Sequence, residues 1–120
     1  MQTQMLKGIL EGCVLKIVEN DFHFSKEILD ILNSQGFDNI TEGTIFPLLI
    51  RLEKEDLFEI KKVKTEYGPY RKYYRLNTKG KEELKNFEES WNHLYKTVNH
   101  IMKDGQSMYK ILLTIRENIN

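Results

Sequence analysis

Positive charge is concentrated in one short window of a chain that is neutral overall. The 120 residues carry 18 Lys and Arg against 18 Asp and Glu. Between Lys61 and Lys81, eight basic residues stand against one acid, Glu66, so this window has a net charge of +7 and the rest of the chain −7. Clustered cations neutralise phosphates and release the counterions of a nucleic acid. Because the distribution of charge is more informative than its sum, the window is a candidate nucleic-acid surface, although a basic run alone is more often a solvated face.

Aromatic and branched residues interleave with these cations on both sides of a turn. Such residues run from Leu57 to Val63 and from Tyr70 to Leu76, around Gly68-Pro69. This pattern predicts a β-hairpin. Cations near its tip can neutralise phosphates, while tyrosines add phenolic donors and flat apolar surface. The hairpin residues expected to contact DNA are Lys64, Tyr67, Gly68, Arg71, Lys72 and Tyr73.

Three helices are predicted ahead of the hairpin. Apolar residues recur at helical spacing from Met5 to Val18, from Ile28 to Leu32 and from Ile45 to Leu52. Ser25 is the expected N-cap of the second helix. Gly36 is placed to take the left-handed conformation that ends it.

The start of the third helix is a candidate phosphate site. Thr41 or Thr44 is the expected cap. Pro47 is tolerated in a first turn but costs about 3 kcal/mol deeper in a helix, so regular helix is expected from Gly43 or Thr44. Free backbone N–H groups at that end can bind a phosphate. Glu42 either matches the helix dipole or accepts a hydrogen bond from a cytosine amine. The residues expected to contact DNA here are Thr41, Glu42, Gly43, Thr44 and Phe46, with Lys26 on the second helix.

The order of three helices, two strands and a long helix predicts a mainly α fold, a winged helix-turn-helix. The third helix, at about Thr44 to Glu55, would enter the major groove, and the hairpin would be the wing that contacts the adjacent backbone. The expected domains are residues 1–76 for DNA binding and 77–120 for a dimerisation helix and tail.

The long helix carries apolar residues at alternating steps of three and four, a heptad stripe that ends before an expected helix stop at Gly105. One interpretation buries the stripe within the same monomer. The other pairs it with a second copy, which would place two recognition helices one turn of DNA apart on an inverted-repeat operator. The stripe residues expected at this interface are Leu84, Phe87, Trp91, Leu94, Val98 and Ile101.

Trp91 lies in the middle of the heptad stripe. A tryptophan there is either a large interface anchor or one wall of a cavity that stacks on an apolar or aromatic ligand. Both interpretations are open from the sequence.

Other classes of protein have little support. The single cysteine, Cys13, excludes an internal disulfide and is expected to be a buried, inert thiol. Histidines at 23, 93 and 100 lack partners at metal-ligand spacing, and no phosphate loop or nucleophile motif occurs, so neither an enzyme, a metal site nor a cofactor is expected. Without a membrane-spanning stretch or signal peptide, the expected location is cytoplasmic. The alternative to a DNA-binding regulator is a winged-helix module that binds an acidic protein, or an antagonist without DNA binding.

Several motifs resemble those of one known family. Thr41–Glu53, the wing Gly68–Leu76, Thr78-Lys79-Gly80 and Glu89-Ser90-Trp91 resemble the motifs of PadR-like transcriptional regulators, in the expected order between Met5 and Lys103. Phe46 departs from the usual tyrosine.

The resemblance implies a homodimeric repressor whose C-terminal helix is exchanged and packs on the partner's first helix, which adds Leu6 and Ile9 to the expected interface. It implies DNA contacts from the second and third helices and the wing. For Trp91 the resemblance leaves three cases: in some members this tryptophan stacks on planar drugs, other members sense phenolic acids, and some have no known ligand. Phe24-Ser25-Lys26 replaces the family's Tyr-Gly-Tyr, although Lys26 can still reach a phosphate.

Overall fold

A computed structural model describes the backbone of residues 3–119 and the side chains of residues 4–103 and 109–119. It confirms a winged helix-turn-helix followed by a long helix. The chain divides into two compact units, the first ending at Asn86 and the second beginning at Phe87. The functional division at residue 76 stays a prediction. The elements are α1 (Thr3–Ile17), β1 (His23–Phe24), α2 (Ser25–Ser34), α3 (Glu42–Lys54), β2 (Phe58–Val63), β3 (Arg71–Leu76) and α4 (Thr78–Ile119).

One hydrophobic core holds the first unit together. It combines apolar faces of α1, α2 and α3 with the base of the hairpin and the first turns of α4. Leu84, predicted to lie at a dimer interface, is 2% exposed in this core, which leaves almost no side-chain surface for a second copy. The most deeply buried side chains are Leu10, Val14, Val18, Ile28, Leu32, Ile45, Leu49, Leu52, Leu57, Leu76 and Leu84.

Helix α2 begins and ends with recognisable caps. Phe24, rather than the predicted Ser25, is the N-cap residue, and its backbone N–H donates to the Glu27 carboxylate over 3.1 Å. At the other end Gly36 has a φ of 117°, which confirms the prediction of a positive φ there. The Phe37 N–H then donates to the Leu32 carbonyl over 3.0 Å, closing a Schellman-type end.

Helix α3 starts earlier than its proline suggests. Thr41 is the N-cap residue with extended backbone, and regular helix begins at Glu42 instead of Gly43 or Thr44. Pro47 is therefore the sixth helical residue and has no N–H to donate to the Gly43 carbonyl. That carbonyl lies in the exposed first turn, where water can replace the missing donor.

The hairpin belongs to a three-stranded antiparallel sheet with the order β1-β3-β2. β3 is central: Phe58 pairs with Leu76 on the β2 side, and Phe24 pairs with Tyr73 on the β1 side. The two-residue strand β1 was not predicted, because two residues are too few to produce an alternating pattern. The Leu76 N–H also donates to the Val18 carbonyl over 2.8 Å, which fixes the base of the wing to the end of α1.

Helix α4 is capped by Asn77, whose Oδ1 accepts from the Gly80 N–H at 2.8 Å. A Cβ on Gly80 would collide with the Leu57 carbonyl oxygen, so glycine allows the first turn to approach β2 closely. The predicted stop at Gly105 is wrong: the helical backbone continues to Ile119. Among the described residues, no helix is both long and apolar enough to cross a membrane.

Candidate nucleic-acid interface

Helix α3 has one face in the core and one in solvent. Ile45, Leu48, Leu49 and Leu52 are buried, as predicted for the core side of this helix. The predicted contact residues Thr41, Glu42, Gly43 and Thr44 are all exposed. Phe46 is 45% exposed, and Ile50, which was not among the predicted residues, is 52% exposed. The surface available to a ligand therefore extends beyond the first turn of the helix.

A groove separates α3 from the wing. It has a volume of about 620 Å³, and we call it the α3–wing groove. It brings together the predicted residues Lys26, Glu42, Phe46, Arg71 and Lys72, although they come from three separate parts of the chain. Its other lining residues are Phe24, Ser25, Thr65, Pro69, Tyr70 and Tyr74.

Arg71 is held in place by an aromatic ring. Its guanidinium carbon lies 4.2 Å from the centroid of Phe24, a cation–π distance. The Phe24 ring also contacts Tyr73, with centroids 5.4 Å apart. Pairing of β1 with β3 sets this arrangement, so the sequence could not indicate it without the missed strand. Arg71 also lines the α3–wing groove.

Lys72 has a protein partner. Its ammonium donates to Glu53 on the last turns of α3, at 3.1 Å to one carboxylate oxygen and 3.4 Å to the other. This hydrogen bond raises the pKa of Lys72. Next to it, burial raises the pKa of Tyr74. Lys72 thus serves as a link between wing and helix, in addition to any role toward phosphate.

Other cations of the basic window are also engaged. Arg75 Nη2 lies 2.6 Å from a Glu59 carboxylate oxygen, and its guanidinium carbon lies 4.2 Å from the Phe22 centroid. The Lys79 ammonium donates to the Glu55 carbonyl over 2.9 Å. The acids Glu53 and Glu59 stand outside the window in the sequence, so the count of +7 overstates the charge of the folded surface.

The wing tip is the most exposed part of the predicted surface. Tyr67 is 92% exposed, and Lys64 and Gly68 are exposed beside it. The Thr65 hydroxyl donates to the Pro69 carbonyl over 2.9 Å, which closes the tip. A hollow of about 520 Å³ brings Lys64, Tyr67 and Gly68 together with the β3 residues Arg71 and Tyr73.

The first turn of α3 borders a different groove. Gly43 and Thr44 line a hollow of about 520 Å³ between α3 and α1, together with Leu6 and Arg51. Arg51 Nη2 lies 2.7 Å from a Glu11 carboxylate oxygen of α1. The predicted residues of α3 are thus divided between two sides: Glu42 and Phe46 border the wing, whereas Gly43 and Thr44 border α1.

The second unit presents its apolar residues to solvent. Trp91 is 39% exposed, Leu94 55%, and Val98 and Ile101 are exposed as well. The Trp91 ring lies against Tyr95 one turn later, with centroids 5.9 Å apart and planes inclined by 41°. Phe87 is partly buried, as are the α1 residues predicted for the interface, Leu6 and Ile9.

Among the described side chains, no group of three or more His, Cys, Asp or Glu residues could hold a metal ion. Cys13 is half-buried against the core, and burial raises the pKa of its thiol, which disfavours the reactive thiolate.

Comparison with known proteins places this surface in a family. Residues 14–86, from the second half of α1 to the first turns of α4, match the description "Transcriptional regulator PadR-like family". The chain belongs to the PadR-like family. The matched segment contains the whole α3–wing groove, so the resemblance noted in the motifs is confirmed.

Solved structures agree with this assignment. A PadR-like transcriptional regulator from Bacillus cereus is 42% identical and has a TM-score of 0.74, covering 84% of this chain and 98% of that chain. A Streptococcus transcriptional regulator is 38% identical with a TM-score of 0.75, covering 85% of this chain and 100% of that chain. An uncharacterised protein from Lysinibacillus sphaericus is 26% identical over 107 residues, which are 86% of this chain and 96% of that protein.

This chain is accordingly a DNA-binding transcriptional regulator. Its family consists of transcription regulators rather than enzymes, which confirms the prediction that the chain is not an enzyme.

Proposed function

We propose that this PadR-like regulator is a cytoplasmic homodimeric repressor that binds an inverted-repeat operator and is released by a small apolar or phenolic ligand. The observation that carries the DNA-binding part of the proposal is the α3–wing groove. There the exposed face of a recognition helix, Lys26 and Arg71 converge on one surface of the first unit.

DNA would be bound in two places by each copy. Helix α3 enters the major groove, where Glu42, Gly43, Thr44 and Phe46 approach the base edges. The wing tip, with Lys64 and Tyr67, lies along the neighbouring phosphates. Thr41, Gly68 and Tyr73 complete this proposed contact surface. Lys72 acts mainly through its link to Glu53, because its ammonium already has a carboxylate partner at 3.1 Å.

Dimer formation is supported by the heptad stripe on α4. Trp91, Leu94, Val98 and Ile101 are exposed in a single chain, and apolar side chains of this size are normally covered by a partner helix. The spacing of three and four continues past Gly105 to Leu112, Ile115 and Ile119, on a helix without a break in its backbone. We propose that a second copy covers this stripe, with Phe87, Leu6 and Ile9 at the same interface.

Ligand release would act through Trp91. Its contact with Tyr95 makes an aromatic surface on the face of α4 that the second copy would cover. A planar ligand can stack on such a surface. Since Trp91 is the only tryptophan in the chain, quenching of its fluorescence by planar cationic dyes and phenolic acids reports on this site directly. A panel of such compounds that leaves the emission unchanged would contradict the proposed ligand site.

A second candidate function is an interaction module that binds an acidic protein without binding DNA. The observation that favours it is the pairing of Lys72 and Arg75 with Glu53 and Glu59, which reduces the charge available to phosphates in a chain of zero net charge.

Salt dependence separates the two candidates. Duplexes selected from a random pool by the full-length protein should contain inverted repeats, and their affinity should fall steeply as salt rises. R71A, in the α3–wing groove, should weaken this binding, whereas K96A, which removes an equal charge from the second unit, should not. Absence of binding to any selected duplex at low salt would refute the DNA-binding proposal and leave the interaction module.

A further inference from the structure

The outermost side chains of α3 are apolar. Successive residues of an α-helix are separated by about 100°, so the residues opposite the buried row of Ile45, Leu48, Leu49 and Leu52 can be identified. They are Gly43, Pro47, Ile50 and Lys54, with Phe46 beside them toward the wing. Phe46 and Ile50 are 45% and 52% exposed, although each could have been polar at no cost to the core.

This face has few groups that can form hydrogen bonds to base edges. Phe46 and Ile50 have no polar side-chain atom, Gly43 has no side chain, and Pro47 lacks even a backbone N–H. Lys54 is the polar exception on this face, and Glu42 and Glu53 border it on the side of the wing. The apolar part of this surface can discriminate between bases only through shape and apolar contact.

Thymine is the base that offers an apolar group in the major groove, its C5-methyl. We propose that Phe46 and Ile50 read thymine methyl groups, which makes them determinants of operator specificity. This inference rests on the proposed binding of DNA through α3. Phe46 and Ile50 lie four residues apart, about 6 Å along the helix. With about 3.4 Å between base pairs, their two thymines lie within about two base-pair steps of each other in each half-site.

The charges around the two residues favour DNA over a protein as the occupant. Lys26 and Arg71 line the groove beside Phe46, and Lys54 is exposed beyond Ile50. Of the nearby acids, Glu53 is paired with Lys72, Asp30 lies 3.8 Å from the Lys26 ammonium, and Glu42 lines the groove beside Phe46. An apolar strip with cations at both of its ends matches a major groove, where methyl groups lie between two phosphate backbones.

The decisive experiment removes the methyl groups one at a time. Each thymine of a selected operator is replaced by deoxyuridine, which keeps the base pairing and removes only the C5-methyl. Full-length protein should lose affinity about fourfold at one or two positions in each half-site, the value for burial of one carbon atom. Positions elsewhere in the operator should be insensitive.

Variants assign each methyl to its side chain. F46A and I50A should bind the thymine operator more weakly, and each should be insensitive to deoxyuridine at its own position while still sensitive at the other. I50V keeps an apolar side chain and should retain most of the sensitivity. L113A removes an exposed apolar side chain from the second unit and should behave as the unchanged protein. Far-UV circular dichroism checks that all variants are folded.

Four results would overturn the proposal. Salt-dependent, sequence-specific binding without any deoxyuridine-sensitive position refutes methyl reading and leaves the DNA-binding regulator intact. Equal sensitivity in F46A, I50A and the unchanged protein assigns the methyl groups to other residues. A change in the molecular mass of F46A or I50A by light scattering would assign the strip to an interface between copies. If no duplex is bound at all, both the proposed DNA binding and the proposed reading of thymine methyl groups fail.

Discussion

The Lys72 ammonium lies 3.1 Å from the Glu53 carboxylate, so the central strand of the wing is linked to the last turns of the recognition helix. The two elements that would bind DNA are thereby held in a fixed relation by a contact between side chains that are 19 positions apart in the chain. Both side chains are partly exposed, so the pair contributes at most about 1 kcal/mol to stability. Its larger effect is on the position of the wing.

The first prediction separates Lys72 from Arg71 by salt dependence. A side chain that contacts phosphate contributes about one unit to the slope of log affinity against log salt. R71A should therefore lower the slope by about one. K72A should weaken binding with little change in slope, and E53A should weaken it in the same way. A fall of a full unit in K72A would contradict its assignment as a link.

The second prediction concerns alkaline pH. Burial raises the pKa of Tyr74 above its usual value near 10.0, so the unfolded state loses its phenolic proton at a lower pH than the folded state. The free energy of unfolding should accordingly fall as pH rises through about 10. The raised pKa of Lys72 acts in the same direction, because its pair with Glu53 is lost when the ammonium deprotonates.

Urea titrations at pH 8 to 11 test this. Y74F should reduce the alkaline loss of stability, and the matched control Y67F, at a side chain 92% exposed, should leave it unchanged. An identical pH profile for Y74F and the unchanged protein would contradict the assignment to Tyr74.

The third prediction compares two glycines. G80A places a Cβ against the backbone carbonyl of Leu57 and the side chain of Leu76, and a backbone atom cannot move away as a side chain can. We expect a loss of about 1–3 kcal/mol. G8A, in α1, meets nothing within 4 Å and should be neutral or stabilising by up to about 1 kcal/mol. Chemical denaturation midpoints measure the stability of both variants, and equal losses in G80A and G8A would contradict the prediction.

The fourth prediction concerns self-association. L94E introduces a charge into the heptad stripe and should convert the proposed dimer to monomers in multi-angle light scattering. N92E introduces the same charge at an exposed position outside the stripe and should leave the mass unchanged. A chain ending at Lys103 should dimerise more weakly than the full chain, since it lacks Leu112, Ile115 and Ile119. A dimer mass for L94E at micromolar concentration would argue against the stripe as interface.

Local patterns predicted most of the fold. The apolar rows of α1, α2 and α3, the Gly36 terminus and the strands around Gly68-Pro69 each produce a signal within about ten residues. The helix stop at Gly105 was predicted wrongly because one glycine costs only about 1 kcal/mol in a helix and does not by itself end one.

The site was harder to predict, because its contacts join distant segments. Nothing local connects Glu53 to Lys72, Glu59 to Arg75 or Phe24 to Arg71, and these contacts decide which cations face solvent. Leu84 has the spacing of a coiled-coil residue, yet lies in the core because Gly80 brings the first turns of α4 against β2. Ile50 was not among the residues predicted to contact DNA, because an isoleucine side chain has no polar atom that could mark it as a DNA contact.

The stacking of Arg71 on Phe24 also constrains how these two positions change during evolution. A guanidinium 4.2 Å above a ring depends on an aromatic residue at position 24, and it places a cation in the α3–wing groove at the same time. Loss of the ring frees the guanidinium, and loss of the guanidinium uncovers the ring. Substitutions at 24 and 71 should therefore occur together across related sequences, so that this pair forms one unit of covariation between the start of α2 and the wing.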